Sequence, residues 1–408
     1  MTSIPGTPAR QSSLRDRNLA LLMALIVDAE APLSRAALAG RTGLTRATAS
    51  SLADSLLELG LIEEVGPPPA AGAGRPASGL VLAASGPAGL GLEVNVDYLA
   101  ACALDLAGTV RGRELVRADL RGRSPAEVFA ELAALADRVT GGCAQDGLEV
   151  AGVCVAVPGL VDPASGTILR APNLGWREIG ALGLLAPRLP AARLPLRIGN
   201  EADFAAEGEL HLDTGRELTD FLYLSGEIGI GAGIVLGRRV FAGTRGWSGE
   251  IGHSTVRPDG ARCRCGASGC LETVAGQEAI LRATGLEATG IAIATLADRA
   301  AAGDAVVLAA LAEVGYALGN ALAAAINLLD LGTVVLGGIY APLAEWLTPA
   351  IELELADHVV SAAWAPPAVR PSRAGTGAAA LGAAASVIGR IHADPARWAA
   401  LSRREPVL

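Results

Sequence analysis

Between residues 16 and 60 the apolar positions recur at three- and four-residue spacing, interrupted by turn residues, which predicts three short helices. The first runs from about Asp16 to Asp28 through Leu19, Leu22, Leu25 and Ile26. Ser34 caps a second over Arg35 to Arg41, ended by Gly43, and Thr45 caps a third over Arg46 to Leu59, ended by Gly60. Leu61 to Val65 and Leu80 to Leu82 then flank a Pro/Ala/Gly-rich stretch, the pattern of a hairpin or wing. From about Gly86 the texture changes. Two apolar runs, Gly89 to Val96 and Tyr98 to Asp105, read as a hairpin of buried strands, followed by a helix from Ser124 to Thr140 and a strand from Val150 to Val157. The same succession starts again with strands Phe221–Ser225 and Ala232–Leu236, helices near Gln277–Ala283 and Val306–Leu329, and a strand at Val334–Leu336. This repetition predicts two α/β lobes with a cleft between them, and such clefts hold small ligands.

Two short helices joined by a glycine-containing turn are the helix-turn-helix pattern, whose second helix enters the major groove of DNA. The third predicted helix suits that task better than it suits an ordinary bundle. Thr45, Arg46, Thr48, Ser50 and Ser51 place small or hydrogen-bonding groups at its leading end, with Leu52, Leu56 and Leu57 behind. Arg75, at the tip of the expected wing, is the candidate for a phosphate or minor-groove contact. Charge supports the placement. The chain carries a formal −9 and no lysine, which argues against a protein that coats nucleic acid or anionic membrane, yet its first 50 residues hold six arginines against three acids. Residues 1–85 are neutral overall, so the whole acidic excess lies on residues 86–408 and is expected to keep DNA off the body.

Length (408 residues) predicts two or three domains, and six cysteines are too few for a disulfide scaffold, so a reduced, cytoplasmic setting is expected. The apolar stretch Leu19–Val27 lacks a cleavage site and reads as a buried helix, and the apolar run near Leu308–Leu329 is broken by Glu313 and Asn320, so no membrane partner is expected. Three of the cysteines crowd into Cys263-x-Cys265-x4-Cys270, with His253 ten residues before the first. Three thiolates and an imidazole are the closed ligand set of structural zinc. Folding that loop around zinc would bring Glu250 and Glu272 to one place, where each carboxylate can accept two hydrogen bonds from a polyol.

With these motifs the chain resembles the ROK family of bacterial repressors and sugar kinases. The resemblance spans almost all of it: the helix-turn-helix, Pro158 to Pro163, Ala171 to Trp176, Asn200-Glu201-Ala202, Gly249 to His253, and Cys263 to Glu272. It implies an α/β, actin-like (ribonuclease H-like) two-lobed fold preceded by a winged helix-turn-helix, with a sugar held between the lobes. It further implies that Asn173, Asn200, Glu201, Glu250, His253 and Glu272 form the sugar shell, and that His253, Cys263, Cys265 and Cys270 hold zinc. The expected boundaries are 1–85 for the DNA-binding domain, 86–205 for the first lobe and 206–408 for the second, with the C-terminal helix returning to the first lobe.

The departures from the kinase branch fall on the ATP side and the base. The phosphate loop of the kinases, Asp-x-Gly-Gly-Thr, is replaced by Glu93-Val94-Asn95-Val96-Asp97, without glycine and with an added acid. Glu201 stands where the kinases carry an aspartate base, about 1 Å displaced by its extra methylene, and Glu227-Ile228 stand in the second glycine loop. The reading that follows is a sugar-responsive DNA-binding regulator, a repressor, that has lost phosphoryl transfer and is not an enzyme. Its partners are operator DNA and a small sugar, and it works as a homodimer or homotetramer. The alternative is an active ATP-dependent sugar kinase with an accessory DNA-binding domain. A zinc-stabilised adaptor without ligand leaves Glu250, Glu272 and Asn173 without a purpose.

Overall fold

The structure, a computed structural model, describes residues 11–66, 78–189, 194–286 and 292–402. Three helices open it: α1 (Gln11–Val27), α2 (Arg35–Thr42) and α3 (Arg46–Glu58). The caps expected from sequence are in place: Ser34 Oγ accepts from the Ala37 amide at 3.1 Å and Thr45 Oγ1 from the Thr48 amide at 3.2 Å. Gly43 ends α2 at φ 71°, a left-handed turn that only glycine enters without strain. Strands β1 (Ile62–Val65) and β2 (Gly79–Leu82) pair antiparallel as the hairpin's two arms. Leu22, Met23, Leu38, Leu56, Leu61 and Leu80 make the buried centre of this unit. Arg75 lies outside the described residues.

The first lobe is built from β3 (Gly86–Val94), β4 (Tyr98–Asp105), β5 (Val110–Arg117), α4 (Pro125–Gln145), β6 (Leu148–Val157), a small sheet of β7 (Leu160–Asp162), β8 (Thr167–Ala171) and β9 (Trp176–Gly180), α5 (Ala181–Leu185), β10 (Leu196–Asn200) and α6 (Glu201–Leu212). Its main sheet has the order β10-β6-β3-β4-β5, with β6 and β10 parallel to β3 and the hairpin partners antiparallel. The second lobe repeats the plan. It contains β11 (Phe221–Gly226), β12 (Ile230–Leu236), β13 (Arg239–Val240), α7 (Glu272–Ala275), α8 (Gln277–Ala283), α9 (Ala292–Ala301), α10 (Ala305–Leu329), β14 (Thr333–Gly338), α11 (Ala344–His358) and β15 (Ala368–Pro371), in the sheet order β13-β12-β11-β14-β15. Two sheets with one strand order, each a three-stranded meander extended by two parallel strands, make the two-lobed actin-like architecture.

The lobes meet across a pair of crossed helices. α6 packs on β11 and β12 of the second lobe, while α12 (Ala378–Ala393) packs on β3, β4 and β6 of the first. Their axes come close because Gly382 carries no side chain there; a Cβ on it would sit 1.6 Å from the Phe204 carbonyl oxygen. The chain ends with α13 (Pro395–Ser402), which lies with α12 against α1. Leu22, Met23 and Ile26 of α1 share one apolar cluster with Ile388 and Ile391 of α12, so the N-terminal unit is seated on the body through a continuous core.

One expectation needs correcting. Despite Glu313 and Asn320, α10 is long and apolar enough to cross a membrane by length and composition. Half of its most apolar window is buried, against α11 and the second-lobe core, so the apolarity serves packing within the lobe.

Candidate functional sites

The N-terminal reading surface follows from the packing of α3. Ala49, Leu52, Ala53 and Leu56 are buried, which turns Arg46, Thr48 and Ser51 outward and leaves Ser50 half-buried. Thr45 is exposed, but its hydroxyl is already engaged with Thr48, 2.9 Å away, and with the cap. Arg35 has a different task. It bridges Asp54 of α3 at 2.7 Å and Glu64 of β1, locking the recognition helix to α2 and the hairpin.

The cysteine loop folds as the ligand set requires. One donor atom each from His253, Cys263, Cys265 and Cys270 all lie within 4.8 Å of one another. Cys265 Sγ and Cys270 Sγ are 3.7 Å apart, close to the ~3.8 Å edge of a tetrahedron with Zn–S bonds of ~2.3 Å. His253 turns Nδ1 toward Cys263 Sγ (3.9 Å) and Nε2 toward Glu250 (3.8 Å), so one ring nitrogen faces the thiols and the other the carboxylate. The donors fit a four-coordinate metal with no position left open.

Around that loop the structure gathers Glu250, Glu272 and Asn173. Glu272 Oε2 accepts from the Ile230 amide at 3.3 Å. Gly229 lies between Asn173 and Glu272: a Cβ there would stand 2.8 Å from both side chains, so only glycine leaves their polar atoms facing one space. Asn173 belongs to the first lobe and Glu272 to the second, and all three residues are half-buried at the mouth between them. Two arginines that the sequence did not single out for this site close the arrangement. Arg264 donates to Asn173 Oδ1 at 3.1 Å and bidentately to Glu278, while Arg170 donates to the carbonyls of Arg264 and Cys265 at 3.1 and 3.2 Å. The cysteine loop is thereby fastened to both lobes.

The other predicted shell residues are placed differently. Asn200 caps α6, its Oδ1 accepting from the Ala202 amide at 2.7 Å and its Nδ2 donating to the Gly159 carbonyl at 3.0 Å, so its amide is engaged within the protein. Glu201 points instead toward Glu93 and Glu227, at the end of the cleft between β3 and α12. There Tyr98 donates to Glu93 Oε1 at 2.5 Å and the Ala380 amide to Oε2 at 3.0 Å. Asn95 Oδ1 accepts from the Val96 amide at 2.6 Å. What remains among Glu93, Asn95, Glu201, Ser225 and Glu227 is a cavity of about 10 Å³, room for about one water. Burial, then the neighbouring carboxylates, push Glu201 up to about 8 and Glu227 well above the ordinary range; burial raises Glu93 as well. Burial and like charge therefore disfavour the ionised form of the acids in this corner.

Residues 89–390 match the ROK family. Over 380 residues the chain is 28% identical to the xylose repressor of Bacillus spizizenii, covering 93% of this chain and 97% of that one. A solved ROK family transcriptional regulator, described as a homologue of the Escherichia coli MLC protein, superposes with a TM-score of 0.76 at 26% identity, over 93% of this chain and 97% of its own. A ROK family glucokinase from Streptomyces griseus, solved with glucose and AMPPNP, superposes with a TM-score of 0.61 at 25% identity. That kinase is covered to 98% but accounts for only 73% of this chain, whereas the repressor and the regulator account for nearly all of it.

Proposed function

Because the chain belongs to the ROK family, we propose that it is a sugar-responsive, DNA-binding transcriptional repressor whose kinase-like body binds a sugar and no longer transfers phosphate. One observation carries this reading. Half-buried polar groups from both lobes stand where a sugar's hydroxyls would lie, and only about 10 Å³ is left where a nucleotide's phosphates would lie. A triphosphate finds no room beside Glu93, Glu201 and Glu227, and meets three carboxyl groups there. Residues 1–85 form the DNA-binding domain, with Arg46, Thr48, Ser50 and Ser51 toward the bases, Thr45 fixing the helix start and Arg75 on the wing. Residues 86–205 and 206–408 form the lobes, the C-terminal helix α12 returning to the first. Asn173, Glu250, His253 and Glu272 hold the sugar directly; Asn200 and Glu201 border it. Zinc on His253, Cys263, Cys265 and Cys270 is structural: it fixes the loop that carries Glu272 and turns His253 toward Glu250.

The protein acts in the cytoplasm as a homodimer or homotetramer, because helix-turn-helix readers meet palindromic half-sites in pairs. A sugar that prefers one lobe geometry shifts the seat of α1 on α12 and α13, and with it operator affinity. The test is a fluorescence-anisotropy titration of the purified protein on DNA from its own upstream region, with a sugar panel led by xylose. Salt-sensitive binding relieved by one sugar is expected. Glu250→Ala should weaken the sugar response by about tenfold or more and leave DNA binding intact. Binding that no sugar alters, or an unchanged response in the variant, would sink the assignment.

A further inference from the structure

We propose that a pocket between β6, β10, α12 and α13, which shares no lining residue with the sugar shell, binds a small phosphate monoester carrying an apolar group. The cavity measures about 270 Å³. Its apolar walls include Val387, Ile391 and Trp398, and three guanidinium groups, Arg197, Arg390 and Arg397, converge on it. Among the described residues none of the three has an ion-pair partner within 4.0 Å; Arg390 reaches only Cys154 Sγ (3.9 Å) and Ser386 Oγ (3.3 Å). Asp394 shares the lining, but its Oδ1 is engaged by the Arg397 amide at 3.0 Å as the start of α13. Trp398 Nε1 is buried without a hydrogen-bond partner, an orphan donor at the pocket.

The charges identify the ligand class. The lining sets three arginines against one aspartate, a positive excess that matches a phosphate monoester at neutral pH better than a monocarboxylate. Guanidinium forks and an indole N–H suit its several acceptor oxygens, and the apolar walls suit an attached hydrocarbon or ring face. Gathering three like charges is itself unfavourable: burial, then Arg390 and Arg397, pull the Arg197 guanidinium below its ordinary range. Glu207 on α6 also acts on Arg197 and Arg390, and burial pushes it up to about 7, which disfavours its charged form. A dianion relieves that repulsion. It would also tie α13, which carries Arg397 and Trp398 and lies against α1, to the edge of the first-lobe sheet.

Calorimetric titration of the full-length protein with phenyl phosphate tests this, with inorganic phosphate, benzoate and phenol as separate arms. Phenyl phosphate should bind most tightly, and R197Q/R397Q should weaken it by about tenfold or more. W398F, which keeps the ring and removes only the N–H, should weaken it a few-fold if the double variant does not fold. E250A should leave it unchanged. Phenol binding as well as phenyl phosphate, equal binding to R197Q/R397Q, or loss of binding in E250A would each overturn the proposal. So would weakened operator binding by R197Q/R397Q in a protein that takes up no phenyl phosphate, because the arginines would then belong to the DNA backbone.

Discussion

At the cysteine-loop end of the interlobe cleft Asn173, Glu250, His253 and Glu272 stay half-exposed, held apart by a glycine and braced by Arg264 and Arg170. At the β3 end Glu93, Tyr98 and the Ala380 amide have closed on one another and left about one water's space. Both ends carry carboxylates, so charge alone does not separate a binding site from a filled one. The difference lies in who satisfies the oxygens. At the first end each side chain gives at most part of its capacity to the fold, Glu272 one oxygen to the Ile230 amide and Asn173 its Oδ1 to Arg264, whereas Glu93 is bonded at both oxygens.

The strongest way to break this contrast is to remove the metal. Chelation, or Cys265→Ser with Cys270→Ser, should release about one zinc per chain and abolish the sugar response, because the loop supplies both His253 and the approach to Glu272. Plasma mass spectrometry and anisotropy read the two effects, and a full sugar response from metal-free protein would refute the bracing role. Next is pH. Carboxyls raised above their ordinary values in the folded chain bind protons that the unfolded chain has released. Their stabilisation is complete below the ordinary carboxylate range and is lost as pH rises through the folded value, about 8 for Glu201. Melting temperature should therefore fall as pH rises from the ordinary carboxylate range to about 8, and E201Q/E227Q should flatten that fall. A steeper decline in the double variant would place the proton elsewhere. The smallest expected effect is on turnover. Glu201→Asp restores the shorter acid, yet no sugar-dependent ADP release should appear, because Glu93 and Glu227 still fill the phosphate end; measurable release would make that end less closed than its geometry.

What could be read from sequence divides along the range of the interactions. Ser34, Gly43 and Thr45 marked helix ends because caps act within three or four residues. His253 and the three cysteines were legible because a metal draws together donors only a short loop apart. The segment from Glu93 to Asp97 was legible as a loop without glycine and with an added acid. One of the two partners of Glu93, Ala380, lies 287 residues away, and no local pattern announces such a bond. That Arg264 reaches Asn173 in the opposite lobe is a property of tertiary folding. Asn200 shows the converse: a motif match assigned it to the sugar, while its position at the start of α6 occupies its amide as a cap. The shared strand order of the two sheets was also hidden, since β3 pairs with β6 across more than fifty intervening residues.

The helix α12 has one more consequence. Its first turn is pinned by Glu93, and its last turns carry Ile388 and Ile391 into the core beneath α1. Sixteen residues make a rod of about 24 Å, so a tilt of about 5° around the pinned end moves the far end by about 2 Å. The carboxylate that stands where nucleotide would go is in that sense a fulcrum. The rod resting on it has its long arm under the N-terminal helices, so small changes in the angle between the lobes are magnified beneath α1.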